Sequence, residues 1–311
     1  MNRQTVGKIG LVGPGAVGGY YGGLLALSGQ EVHFHFRSSF DAVQENGLWL
    51  VHHQAGGRRE QIEGLHAHDS VNSIGVCDWV IVATKATANP LLPDLIRPLI
   101  GQHTQLLTLQ NGMGNVENLA QAFGAVSTIL AGLCFTCINR TSPHVIESLL
   151  PGYVQFGELD KPVSEKGKEM VHAFREAGVR VRESESLDEA LWRKLCWNIP
   201  FNGLSITGGG ITTDLILANP ALKQRAHDLM LEIQAGAQAY GVFIEDSFLD
   251  RQFELTAPMG PYKSSSLIDF MEGKPVEVEA IWGEALRRGQ AQGVSMPELT
   301  HLFSELREVC G

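Results

Sequence analysis

Hydrophobic positions follow one rhythm up to about residue 184 and a different one after it. In the first part, short apolar runs are separated by glycine-rich or polar breaks: Lys8-Ile9-Gly10-Leu11-Val12, Glu31 to Phe36, Asp78 to Thr84 and Thr104 to Leu109. Such runs predict strands, and the uninterrupted one at Trp79-Val80-Ile81-Val82 suits a parallel strand buried on both faces. A hairpin is expected over Leu48-Trp49-Leu50-Val51 and Arg58 to Ile62. Further strands are expected near Ser127 to Ile138, Val145 to Leu149, Tyr153 to Phe156 and Val179 to Val181. From Leu187 onward the period becomes helical, with helices expected over Leu187 to about Leu204, Pro220 to Tyr240, Ser247 to Thr256, Val276 to Gln290 and Pro297 to Val309. The reading is an α/β domain over residues 1–184 and an all-helical domain over 185–311.

The first strand runs directly into Gly13-Pro14-Gly15-Ala16-Val17-Gly18, which opens a small-residue apolar segment from Ala16 to Leu27 that Ser28-Gly29 ends. A G-x-G-x-x-G spacing between strand and helix has a mechanical meaning. The first glycine permits the tight turn, the second lets backbone approach a diphosphate, and the third lets helix and strand pack closely. The N–H groups and dipole of the helix start then favour the anion. With 35 glycines in the chain the spacing alone is weak; its place between two strands carries the reading. Gly13, Gly15, Ala16, Val17 and Gly18 are therefore expected to bind a dinucleotide.

An acid at the end of the second strand would bind a ribose 2′-hydroxyl and repel a 2′-phosphate. This chain has Arg37-Ser38-Ser39 there, a guanidinium and two hydroxyls able to donate to phosphate oxygens. NADP is favoured over NAD. The plainer alternative is a solvated arginine and a serine that caps the next helix. Ligands of open α/β sheets bind beyond the carboxyl ends of the strands, so Lys85 and the Gln110-Asn111-Gly112-Met113-Gly114 turn are expected to border the cofactor. Asn111-Gly112 is also an ordinary turn pair.

In the helical half, Lys194, Asn198 and Asn202 recur at i, i+4 and i+8 among leucines and tryptophans, with Pro200 placed to kink the helix. Buried amides need partners and a buried ammonium is costly, so the stripe points to a functional face. The glycine run Thr207-Gly208-Gly209-Gly210 lacks the Gly-Lys-Ser/Thr of a phosphate-binding loop and is read as an interhelical turn.

Composition narrows the partners. The chain has 311 residues, 44% hydrophobic, with a formal net charge of −10, which disfavours a general nucleic-acid or anionic-membrane binder. Residues 1–8 are polar and no apolar run reaches membrane-spanning length, so no leader and no span are expected. The five cysteines form no framework, and Cys134-x-x-Cys137 lies in a strand that points its thiols to opposite faces. A reducing cytoplasm fits. The histidine pairs His33/His35 and His66/His68 have no partner at metal spacing, and no metal is expected.

Taken in order, these residues resemble the ketopantoate reductases, the 2-dehydropantoate 2-reductases of the 6-phosphogluconate-dehydrogenase-like group. The resemblance rests on Gly13 to Gly18, Arg37, Lys85, Gln110 to Gly114, Leu191-Trp192-Arg193-Lys194-Leu195 with Asn198 and Asn202, Ser264-Ser265-Ser266 with Asp269, and Gly273-Lys274-Pro275-Val276-Glu277. It implies a Rossmann-type dinucleotide-binding domain followed by a helical domain, and NADPH-dependent reduction of 2-dehydropantoate to (R)-pantoate on the route to pantothenate and coenzyme A. By the same resemblance Lys194 is the general acid. Glu277 is an acid that binds substrate, orients the lysine and borders the cofactor. Asn111 stands between nicotinamide and substrate, and Asn198, Asn202 and Ser265 contact the small 2-oxo acid. Arg37 and Lys85 match contacts to the cofactor phosphates. Helical domains of this kind can mediate a homodimer, which nothing in the chain forces.

Two departures bear on substrate. Gly203 follows Asn202 where the family often has proline, and Ser266 stands where methionine is common; both could reshape the pocket. Another branched 2-oxo acid is therefore a competing substrate, and a catalytically silent NADP-binding sensor is a competing class.

Overall fold

The computed structural model describes residues 5–124 and 128–311. They form two compact units, one of residues up to Gln110 and Asn115–Leu187, the other of Asn111–Gly114 and Asp188–Gly311. Ser127, expected to begin a strand, lies outside the described residues.

The first unit alternates strand and helix: β1 (Lys8–Val12), α1 (Ala16–Leu27), β2 (Glu31–His35), α2 (Phe40–Asn46), β3 (Trp49–His52), β4 (Arg58–Gln61), β5 (His66–His68), β6 (Trp79–Val82), α3 (Leu92–Ile96), β7 (Gln105–Thr108), α4 (Asn115–Ala122), β8 (Ile129–Ser142), β9 (Val145–Glu158), α5 (Glu165–Glu176) and β10 (Val181–Glu183). The described strands form one sheet in the order β4-β3-β9-β8-β7-β6-β1-β2-β5, with β10 also on β9. From β5 through β8 all pairings are parallel. Every residue of β6 and of β7 is buried, as strands covered on both faces require. The core is built from side chains such as Ile9, Leu11, Phe34, Trp79 and Phe156.

Helix α1 ends as its sequence suggests. Gly29 takes φ +94°, and the Gly29 and Gln30 N–H groups cap the carbonyls of Ala26 and Leu25. The expected β3–β4 hairpin forms in antiparallel register, Trp49 opposite Gln61. The two short strands expected near Val145 and Tyr153 are instead one strand, β9. It pairs with β8 through three register shifts, and such bulges let a long ribbon bend without losing its partner.

The second unit is helical: α6 (Leu187–Thr207), α7 (Thr213–Ala218), α8 (Pro220–Ala239), α9 (Asp246–Thr256), α10 (Ser265–Met271), α11 (Glu284–Ala291) and α12 (Pro297–Cys310). Helix α6 is its axis. Trp192, Leu195, Cys196, Ile199, Phe201 and Leu204 are all at most 2% exposed, so α6 is apolar nearly all round and packs neighbours on several sides. Pro200 does not end it: the helix is continuous through that position. Trp282 Nε1 donates to the Ile199 carbonyl just before it, at 2.9 Å. The Gly208-Gly209-Gly210 run is the end of α6, where the N–H groups of Gly209 and Gly210 close on Ile206 and Ser205. Among the described residues no helix is long and apolar enough to cross a membrane.

Candidate active site

In the first unit, the glycines of the turn answer to different demands. Gly13 takes φ +83°, and a Cβ there would lie 2.5 Å from the Thr84 backbone nitrogen. A Cβ on Gly18 would lie 2.5 Å from the Ala83 side chain and 2.6 Å from the Gly13 carbonyl, so helix and sheet could not close to this distance. Gly15 differs: a Cβ there would meet only the Gly13 carbonyl, at 4.0 Å. The space beyond Gly15 is open, which is where a diphosphate needs room. The first ladder bond of α1 is Gly19 N–H to Gly15 C=O, so the N–H groups of Ala16, Val17 and Gly18 precede it and remain for an anion. The first turn of α1 carries no acidic side chain. The residues present fit a dinucleotide.

Arg37 is exposed just past β2. Ser39 occupies the N-cap position of α2 but makes no side-chain capping bond, and Ser38 is exposed. Lys85 is half-buried three residues past the end of β6, at the N-cap of a 3₁₀ turn. A polar chain links the neighbouring loops. Gln110 Nε2 donates to Asn89 Oδ1 at 2.8 Å, Asn89 Nδ2 to Asn115 Oδ1 at 2.8 Å, and Thr108 Oγ1 to Gln110 Oε1 at 3.0 Å. It ties together the segments that leave the carboxyl ends of β6 and β7, on the sheet edge where the open α/β rule puts ligands.

In the second unit, Lys194, Asn198 and Asn202 lie along α6, all buried, at 8%, 9% and 2% exposure. Lys194 Nζ donates to Asn111 Oδ1 at 2.9 Å. The Asn111–Gly114 segment is held to this unit by its backbone. Met113 N–H donates to the Ala280 carbonyl at 2.8 Å. Gly112 takes φ +87°, and a Cβ there would meet that same carbonyl at 2.3 Å. Only glycine satisfies both demands. The Ala280 carbonyl belongs to a π-helical turn, Glu279–Gly283, that opens into α11. Widening of the turn alters the regular i−4 bonding and leaves carbonyls available to other donors. Glu277 stands just before that turn, buried at 8% exposure, and its carbonyl accepts the Ile281 N–H at 3.1 Å. Lysine, loop and acid-bearing turn are thus linked through Asn111 and Ala280.

Asn202 keeps an Oδ1 atom that is buried with no hydrogen-bond partner among the described residues. An amide oxygen left in that state costs free energy unless a ligand or water uses it. In the serine run, Ser264 caps α10 through the Leu267 N–H, whereas Ser265 is exposed at the helix start. Gly203 does not shape a pocket: a Cβ there would meet Leu302 at 2.7 Å and Trp282 Nε1 at 2.9 Å, so it lets α6 pack closely against α12. Ser266 is buried at 3% exposure. Burial pushes the Cys196 thiol up to about 12, which leaves this α6 cysteine a packing residue rather than a nucleophile.

The π-turn, and the membership of Asn111–Gly114 in the helical unit, have no sequence signature. The loop looks like a strand-end turn, and only its contact with Ala280 shows why Gly112 is glycine.

Residues 9–161 match the family described as ketopantoate reductase PanE/ApbA, and residues 186–309 match the family's C-terminal part. The chain is similar to a 2-dehydropantoate 2-reductase of Nostoc sp., 37% identical over 98% of this chain and 95% of that one. It is similar to the crystal structure of a 2-dehydropantoate 2-reductase from Geobacter metallireducens, with a TM-score of 0.92 and 38% identity over 97% and 99% of the two chains. A D-mandelate dehydrogenase structure with NADH and anilino(oxo)acetate shares the fold at 21% identity, with a TM-score of 0.87 over 97% of each chain. Two family matches in chain order, with a relative above one-third identity over nearly the whole length, show that this chain belongs to the ketopantoate reductase family.

Proposed function

We propose that the protein reduces 2-dehydropantoate to (R)-pantoate with NADPH, a cytoplasmic step toward pantothenate and coenzyme A. The observation that carries the reading is a buried ammonium, Lys194, donating to the Asn111 amide oxygen. A cation is costly to bury away from its substrate. NADPH, when bound, supplies the hydride that reaches the ketone carbon. Lys194 donates a proton to the carbonyl oxygen as negative charge builds there, and its ammonium stabilises that charge before the transfer. Asn111 holds the ammonium through its amide oxygen, between nicotinamide and substrate. Asn198, Asn202 and Ser265 offer amide and hydroxyl groups to the carboxylate and hydroxyl of the acid, and Asn202 Oδ1 gains a partner in doing so. Glu277 accepts from a substrate hydroxyl and aligns Lys194.

In the first unit, Gly13, Gly15, Ala16, Val17 and Gly18 hold the diphosphate, while Arg37 and Lys85 read the cofactor phosphates. Because a shared fold does not fix which acid is reduced, the test follows NADPH absorbance with 2-dehydropantoate beside a panel of branched and aromatic 2-oxo acids. The expected outcome is a kcat/KM for 2-dehydropantoate at least about tenfold above any other acid. A higher value for another acid replaces the substrate. Tight NADPH binding with no turnover overturns the catalytic reading.

A further inference from the structure

We propose that Arg140 is a positioning residue for dinucleotide binding: it clamps the Pro14–Gly15 peptide of the glycine turn and sets its cationic head beside the diphosphate position. This rests on the reading that the turn binds NADPH. Arg140 lies near the far end of β8, 126 residues from Pro14, and its Nη1 donates to the Pro14 carbonyl at 3.1 Å. Its Nη2 donates to the Pro143 carbonyl, so the fork is fixed from both sides. The other end of the same peptide is also tied, since Gly15 N–H donates to the Gly13 carbonyl at 2.7 Å. With its C=O and N–H both held, this peptide plane cannot rotate, and the N–H groups that follow it at Ala16, Val17 and Gly18 keep their direction.

The surroundings are shaped for this contact. The β8–β9 register shifts between Arg140 and Ser142, and a bulge of this kind re-aims a side chain. Opposite Arg140 in the ladder is Ile146, whose Cδ1 would lie 2.2 Å from a Cβ on Gly19. The Pro14 carbonyl would lie 3.2 Å from that same Cβ. The absence of a side chain at Gly19 therefore gives Ile146 and the clamped carbonyl their space on the first turn of α1. Arg140 gains little stability in return. Its Nε is buried without a hydrogen-bond partner among the described residues, and burial pulls its guanidinium below the ordinary value. A neutral side chain would avoid both costs.

Binding of NADPH, NADH and ADP to the full-length protein, followed by fluorescence titration or calorimetry, separates the outcomes. Arg140→Met is expected to raise Kd for all three by a similar factor, about tenfold or more, because they share the diphosphate. Arg140→Lys is expected to recover part of the loss, and kcat at saturating NADPH is expected to stay within about twofold of wild type. Gly19→Ala, which displaces the clamped carbonyl without removing charge, is expected to weaken the same three ligands. It decides the matter if Arg140→Met does not fold. Unchanged Kd in folded Arg140→Met, or a lowered Tm as its sole effect, overturns the proposal. Wild-type protein that binds none of the three overturns instead the dinucleotide reading beneath it.

Discussion

The two units prepare their chemistry by opposite means. In the first, the groups proposed to meet the cofactor are mostly backbone: the N–H groups at the start of α1, exposed by a turn whose Gly13 and Gly18 are dictated by contacts with Thr84 and Ala83. In the second they are side chains, a lysine and two asparagines buried on one helix, with the Lys194 ammonium on an amide oxygen. Backbone donors suit a diphosphate, which recurs on every substrate pair the enzyme handles. In the function proposed above, the buried side chains act on the reacting carbonyl, where a proton must move and a dry, fixed donor acts most strongly. The contrast implies that binding of the cofactor and chemistry on the acid can be damaged separately.

The sharpest break is Lys194→Ala. It is expected to lower kcat by roughly 10² to 10⁴ while the Kd for NADPH, measured by fluorescence titration, holds. A parallel loss of NADPH binding would erase the division of labour between the units. Arg37→Ala strikes the other side. Loss of a charge-assisted contact of about 1.5–3 kcal/mol should raise the Kd for NADPH by roughly 10- to 100-fold and leave NADH nearly unchanged. An equal loss for both cofactors would remove Arg37 from the 2′-phosphate.

Gly203→Ala tests whether the helical unit tolerates change beside its polar stripe. The added methyl meets Leu302 and Trp282, and overpacking of about 1–3 kcal/mol should lower Tm with KM for the oxo acid unaltered. A changed KM with an unchanged Tm would return Gly203 to the substrate pocket.

The smallest effect expected is on pH dependence, and it belongs to the first unit. Burial holds His33, His35, His52 and His68 below the ordinary histidine value. As pH falls below about 6.5 the unfolded chain takes up protons that the folded one still refuses. Stability is therefore complete above that value and declines from there down to the folded values. Thermal unfolding near pH 7.5 and pH 5.5 should differ by a few degrees, and His33→Gln should narrow the gap. An unchanged or larger gap in the variant would remove His33, 2.9 Å from His68 in the structure, from the cause.

Much of the first unit was legible because its signals are local. The strand, turn and helix around Gly13 to Gly18 and the return strand follow one another directly, so spacing carries geometry. The buried run of β6 and the hairpin at Trp49 are of the same kind. Lys194, Asn198 and Asn202 were legible for another local reason, since one helix period places them on one stripe. Less was legible where an irregular element does the work. The residues of the Glu279–Gly283 π-turn look like ordinary helix, and β9 looks like two strands because its proline and glycine, Pro151 and Gly152, interrupt the apolar pattern without ending the ladder.

The chain by itself determined that a glycine turn between strand and helix opens an α/β unit, that an arginine follows β2, and that polar groups line an otherwise apolar helix. Hydrophobic period and turn chemistry act between near neighbours, and those are properties a sequence displays. Tertiary structure decided which distant partners close on them: Asn111 on Lys194 across 83 positions, Arg140 on Pro14 across 126, and Gly203 beneath Leu302 and Trp282. A pattern of apolar residues specifies that a face is buried but leaves open what covers it. The covering groups are selected only when the whole chain packs to the density of its core.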